Sequence, residues 1–443
     1  MSKRNLILII IILAGIVGGA MLFYYFYQPQ SQIEGEVQDV NFFANFFPFG
    51  DKKPSSTTPS TNQPTDISGF EPTTEEEKIE TKIQKVSSFP IAGFGVFMKE
   101  RFKEITPPAE SVTTTPATKT TKLVAPPTEF APTLRYVERD TGNIYQTFAE
   151  KIDERRFSKT IIPKVHEAYF DNKTESVAMR YLKGDNKTIE TFLGLLPKEF
   201  LGADSAGINE LKGSFLPDNI SDMSVSPDSS KMFYIFNTGD SAVGIALNTI
   251  TNTKSQIFNS PLTEWLSEWP NSKMITMTTK PSANVPGFMY SINPEKKDFN
   301  KVLGDINGLT TLTSKDGKMI LYGDNNLSLK ILNVSDNNSN SLSVRGLPEK
   351  CVWNSTNESL YCAVPKSITN TVYPDSWYQG EISFSDEIWK IDVKNGNATI
   401  IIDPSSSEGG EEVDAIKLSV DETENYLFFI NKKDSYLWKL NLK

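Results

Sequence analysis

One histidine, His166, occurs in a chain of 443 residues. Hydrolytic triads, zinc sites and metal-dependent lactonase sites draw on at least one histidine and often on several. A single one removes many of these chemistries, and His166 reads first as a strand side chain in a packed or half-exposed position. Positive charge is also short. Lys and Arg together number 45 against 55 Asp and Glu, for a net charge of −10. Such a surface repels nucleic acid and anionic lipid at long range, so no nucleic-acid partner is expected. Apolar residues make up 38% of the chain, low for a fully packed globule, so part of its length does not fold. Amphipathic helical periodicity is scarce from about residue 80 onward.

Against these shortages stands one long hydrophobic run. After the basic tip, residues 1–4 with Lys3 and Arg4, Asn5 to Tyr27 carries no charge over 23 residues. At 1.5 Å per residue that spans a hydrocarbon core of about 30 Å. The expectation is a single-pass transmembrane helix with its N-terminus cytoplasmic, by the positive-inside rule. The remainder then lies outside the cytoplasm, at the cell surface or in the periplasm. Tyr24, Tyr25 and Tyr27 would form the outer aromatic belt. A signal peptide cleaved after Gly18 and Ala20 is the rival reading; the apolar run, however, continues past that point. Residues 28–78 read as a stalk. Five phenylalanines between Phe42 and Phe49 either dip into the membrane interface or pack as a sticky linker. The Ser/Thr/Pro-rich and acidic stretch 51–78 buries too little to fold and serves as a flexible spacer.

Residues 79–443 show short β-branched and aromatic runs between Gly, Asn, Asp and Pro turns, an all-β pattern. A four-strand unit recurs. Its clearest copy has strands at 221–225, 231–236, 242–247 and 255–258, with the turn Ser226-Pro227-Asp228-Ser229-Ser230 after the first. Further copies turn at Ser314-Lys315-Asp316-Gly317, Ser355-Thr356-Asn357-Glu358 and Asp421-Glu422-Thr423-Glu424. Asp, Asn, Ser and Gly cap their own backbone in such turns. A four-strand unit of roughly 40–50 residues is a propeller blade. The fold class is therefore an all-β, seven-bladed β-propeller, with six or eight blades as alternatives. A Pro/Thr-rich insertion at about 105–132 interrupts the first blade. The last blade lacks a fourth strand, and Lys82 to Val86 is expected to pair with Tyr436 to Leu440 and close the ring.

Ser226-Pro227-Asp228-Ser229-Ser230-Lys231 and Ser314-Lys315-Asp316-Gly317-Lys318, each leading into an aromatic-rich strand, resemble the repeats of TolB-type, WD-repeat-like propellers. The resemblance implies a propeller. It also implies functions like those of the family's periplasmic partner-binding proteins or of the non-catalytic propellers attached to peptidases. Trp269-Pro270-Asn271-Ser272-Lys273 departs from the pattern.

Cys351 and Cys362 fall on adjacent strands of one blade, opposite each other if the hairpin centres on Thr356 and Asn357. In an exported chain that suits a disulfide; two buried free thiols are the alternative. The long connection 365–386 carries Tyr373, Asp375, Trp377 and Tyr378, either as an exposed binding loop or folded inward with its aromatics buried. The acidic turn 421–424 lacks the ligand spacing of a calcium loop. No catalytic residues, metal ligands or small-molecule cofactor are assigned. The expectation is a non-catalytic scaffold, not an enzyme, recognising an envelope protein or polymer. The alternative is a propeller hydrolase or lyase, which needs a carboxylate cluster at a mouth of the central channel.

Overall fold

Turn chemistry sets the spacing of the strands. In the computed structural model, which describes residues 82–103, 126–202 and 209–443, the same device recurs between the first two strands of five blades. The Ser226 hydroxyl donates to Asp228 Oδ1 (2.6 Å) and accepts the Lys231 amide (2.9 Å). Ser314 and Asp316 repeat this with the Met319 amide. Asp171 and Asp421 gather two or more amides each, and Asn354 takes those of Glu358 and Ser359. The fourth residue of each turn is left-handed: Thr174, Ser229, Gly317, Asn357 and Glu424. Glycine relieves that conformation only in the Gly317 turn; elsewhere the capping bonds hold it.

The strands assemble into seven four-stranded antiparallel sheets. Blades are numbered here in chain order, with inner strands Ile91–Phe102, Val165–Phe170, Ile220–Val225, Trp265–Asn271, Thr310–Thr313, Cys351–Trp353 and Ala415–Val420. Blade 7 takes its outer strand from the start of the chain. Ile83 pairs with Leu440, Gln84 with Lys439 and Lys85 with Trp438. The Val86 amide donates to Leu437 O (2.7 Å), and the Ser87 hydroxyl accepts from the Leu437 amide. Ile83 and Trp438 are fully buried in the core between blades 6 and 7. The seven-blade count and the strand exchange at closure are as the repeat predicts.

Blade 1 departs from the sequence reading. Its first hairpin is long, Ile91–Phe102 against Thr128–Glu138, with Phe102 opposite Thr128. The second strand thus begins inside the stretch assigned to the insertion, because ladder pairing continues through Pro132, opposite Met98. Its outer strand shrinks to Arg155–Arg156. Gly93 lies against blade 2 so closely that a Cβ there would fall 2.1 Å from Ala168 O. Side-chain bulk is absent between these two inner strands.

The segment assigned to a transmembrane helix, with Lys3, Arg4, Tyr24, Tyr25 and Tyr27, and the stalk to residue 78 lie outside the described residues. Among the described residues no helix is long and apolar enough to cross a membrane.

Candidate functional site

Inner strands carry charge at one level of the central channel. Glu167, Asp222 and Lys417 are each the third residue of the inner strand in blades 2, 3 and 7. Pairing register slips between Val165 and Glu167, between Ile220 and Asp222, and between Ile416 and Ser419. Lys417 itself is left-handed (φ 53°). Such irregularities re-aim side chains, here toward the axis. In blade 4 the corresponding positions are Ser267 and Glu268.

Lys417 Nζ reaches past blade 1 to Glu167 Oε1 (3.0 Å). Arg180 Nη1 meets the other carboxylate oxygen at 2.5 Å, and the Tyr169 hydroxyl donates to the same group. Burial opposes ionisation of Glu167, but Lys417 and Arg180 outweigh it and hold the carboxyl at about 2. Burial and the neighbouring Glu167 push Tyr169 well up.

Asp222 and Glu268 lack such cations. Asp222 Oδ2 accepts the Ser267 amide and hydroxyl, both at 2.6 Å, and Ser267 Oγ also bonds Ser224. Glu268 Oε2 accepts the Thr313 amide (2.9 Å) and lies near the Thr276 hydroxyl. Both are half-buried, open only toward the channel. Burial raises Asp222 to about 6, with its bonds from Ser267 opposing and Glu167 adding. Burial raises Glu268 to about 7, opposed by Thr313 and Thr276 and reinforced by Asp222. The level thus holds one fixed carboxylate and two carboxyls that exchange protons near neutrality, the separation that acid–base sites require. No three His, Cys, Asp or Glu side chains among the described residues gather closely enough to hold a metal ion.

The long connection of blade 6 lies over part of the same mouth. Tyr373 and Trp377 are buried, and Tyr378, 39% exposed, donates to Glu349. Asp375 accepts the Ala283 amide of blade 4 (2.6 Å). Trp377 Nε1 donates to Asp414 of blade 7, whose Oδ2 also takes the Phe384 amide. Beneath it, Lys350 is fully buried between Asp386 (2.8 Å) and Asp414. These four loop residues are therefore anchored across the strand starts of blades 4 to 7 and do not stand free as interface aromatics. Blades 1 to 3 have only short connections there, 139–143, 183–188 and 238–241.

Cys351 and Cys362 are directly opposed, with Cα atoms 4.0 Å apart, and are joined as a disulfide. His166 is exposed at the mouth beside Glu167. Sequence reasoning missed Glu167, Asp222, Glu268 and Lys417. Charged residues at matching places in Val165-His166-Glu167, Ile220-Ser221-Asp222 and Ala415-Ile416-Lys417 are the signal that aligned repeats offer.

No family model and no curated protein sequence matches the chain. Among solved structures it is similar to an oligogalacturonate lyase from Vibrio parahaemolyticus. That likeness has a TM-score of 0.47 and 10% identity, covering 70% of this chain and 86% of the other. It is also similar to an oligogalacturonate lyase in complex with manganese, with a TM-score of 0.46 and 11% identity, covering 70% and 85%. Likenesses of this level carry no argument about activity. The expectation of a non-catalytic scaffold that is not an enzyme is corrected by the channel wall itself, where Glu167, Asp222 and Glu268 stand on neighbouring inner strands. That expectation rested on finding no carboxylate cluster in the sequence, and the channel wall carries one. The TolB-type assignment remains a resemblance of turn motifs, and the chain is, by its own strand topology, a seven-bladed β-propeller.

Proposed function

We propose that the propeller is a lyase or hydrolase that works by carboxylate acid–base chemistry in its central channel. One observation carries this: on neighbouring inner strands Glu167 is held between Lys417 and Arg180 while Asp222 and Glu268 bond only neutral donors of Ser267 and Thr313, an arrangement that lowers the first to about 2 and raises the others to about 6 and about 7. Groups with pKa values near the working pH are the effective acids and bases. Glu268 and Asp222 are the pair that exchanges protons. In hydrolysis the ionised member takes a proton from water as the protonated member gives one to the leaving oxygen. In elimination the ionised member takes a carbon-bound proton, and the leaving oxygen is protonated in the same way. Lys417, fixed by Glu167, places a cation beside the negative charge that develops. Asp222 and Glu268 also stitch neighbouring inner strands, as their bonds to Ser267 and Thr313 show, and that role alone needs no proton exchange near neutrality. Carboxyl-carbon NMR of the two groups decides between the roles. Titration near 6 and 7 supports the proposal, and midpoints below 5 in both would sink it.

The proposal keeps residues 5–27 as a membrane anchor, supported by the uncharged run that follows Lys3 and Arg4. The channel then faces a substrate outside the cytoplasm. A reporter active only after export, fused at Lys443, should be active; activity of a cytosol-only reporter there would reverse the orientation.

A further inference from the structure

The uncovered half of the mouth contains a cleft of about 680 Å³ where blades 7, 1 and 2 meet. Arg139, Lys164, His166 and Lys433 line it, with Asp140 and Asp434 as its acidic groups. On a chain of net charge −10 this is a local excess of cations. The frame is rigid: the Arg139 amide donates to Pro90 O and its carbonyl accepts the Val165 amide, so backbone bonds tie the turn to its neighbours.

The cations are not consumed by carboxylates. Arg139 is half-buried, and its side chain is engaged by one neutral partner, the Ser435 hydroxyl, at 2.9 Å. Lys164 donates to the Asn186 amide oxygen (3.1 Å) and is held left-handed at φ 62°. Neither makes an ion pair among the described residues. Lys433 alone is paired, with exposed Glu412 at 3.2 Å. A guanidinium has five N–H donors in a planar fork shaped for an oxyanion. Arg139, half-buried on the cleft wall, gives one of these donors to Ser435 and leaves the others to face the cleft. His166, exposed on the same wall, adds an imidazole N–H donor to the three cations.

We infer that this cleft is a binding site for an oxyanion, the carboxylate or phosphate group of a ligand, gripped by Arg139 and Lys164 with His166 and Lys433 at its rim. The site uses none of Glu167, Asp222 or Glu268. Its failure therefore leaves the proposed channel chemistry standing, and the failure of that chemistry leaves this site standing. The remaining net charge repels anions elsewhere, so the cleft is where they concentrate.

Titration calorimetry on the full-length chain at low salt tests the inference, with inorganic phosphate in one arm and malonate in the other. At least one should bind saturably, and the arm that does names the ligand's anionic group. Arg139→Gln should weaken that binding at least about tenfold, the scale of one lost charge-assisted hydrogen bond. Lys164→Gln should weaken it less, and Lys315→Gln, in a turn at the opposite ends of the strands, should leave it unchanged. If Arg139→Gln does not fold, the double variant Lys164→Gln/Lys433→Gln decides, since both side chains are exposed. Absence of saturable binding in both arms, or equal binding by wild type and these variants, overturns the site.

Discussion

Two lysines near the propeller axis meet carboxylates in opposite surroundings. Lys350 is sealed: it and its partners Asp386 and Asp414 have no solvent exposure, and the rings of Trp377 and Phe384 close over the ammonium. Lys417 is 39% exposed and crosses open channel to reach Glu167. The difference lies in what each pair can do. A charge pair taken wholly out of water fixes one arrangement and can reach no substrate, so Lys350 serves to pin the blade 6 connection across blades 4 to 7. A pair reached by water pays little desolvation and gives little stability. Its effect is on the groups around it: it fixes Glu167 as an anion, and that anion helps raise Asp222.

The sharpest break in the comparison is Lys350→Met. It leaves two buried carboxylates without their cation, and uncompensated buried charge costs about 3–5 kcal/mol. Urea unfolding at pH 7 should show a loss of that size. Adding Asp386→Asn and Asp414→Asn to the same chain should restore much of it, because the stranded charges go with the lysine. A loss below about 1 kcal/mol would mean that the site is wetter than its geometry implies. Next in size is the disulfide of the same half. It closes a separation of 11 residues in blade 6. By loop entropy it contributes about 2–3 kcal/mol, so reduction should lower the denaturation midpoint accordingly. Smaller still is Lys417→Met. Arg180 continues to hold Glu167, so stability should move by less than about 1 kcal/mol. The readout that should move is the Glu167 midpoint, which should rise by about half a pH unit while Arg180 stays in place. A large stability loss here would erase the distinction between the two lysines.

The repeat was more legible in the sequence than the channel site, for a physical reason. Turns and strand periods are local. Ser226-Pro227-Asp228 and its counterparts announce a capped turn within five residues, and Cys351 and Cys362 face each other by symmetric spacing about Thr356 and Asn357. Ring closure was legible because a strand was missing at one end of the chain and spare at the other. The channel site has no local spacing at all. Glu167 and Lys417 are 250 residues apart and meet only because the ring closes. For Trp377 the sequence left two readings open, a binding loop or a loop folded inward, because length and aromatic content are common to both; Asp414 and Lys432 hold it inward.

The pH dependence of stability tests the open half most directly. Asp222 and Glu268 sit at about 6 and about 7 in the fold, against 3.8 and 4.5 when unconstrained. Between about pH 4 and pH 7 the folded chain keeps protons that the unfolded chain has released, so unfolding free energy falls as pH rises through that window. Glu167 acts with the opposite sign: held at about 2 against 4.5, its contribution is complete above the unfolded value and is lost only as pH falls toward 2. Asp386, raised by burial, adds to the first slope, so part of it will remain in any channel variant. Asp222→Asn and Glu268→Gln keep a carbonyl oxygen to accept the Ser267 and Thr313 amides while removing the titration. Denaturation midpoints at pH 4, 5, 6 and 7 should therefore decline in the wild type and flatten stepwise in the single and double variants. Identical slopes in wild type and double variant would mean that both carboxyls are already ionised at pH 4. They would then be strand stitches only, and the contrast between a sealed structural pair and an open chemical one would have to be abandoned.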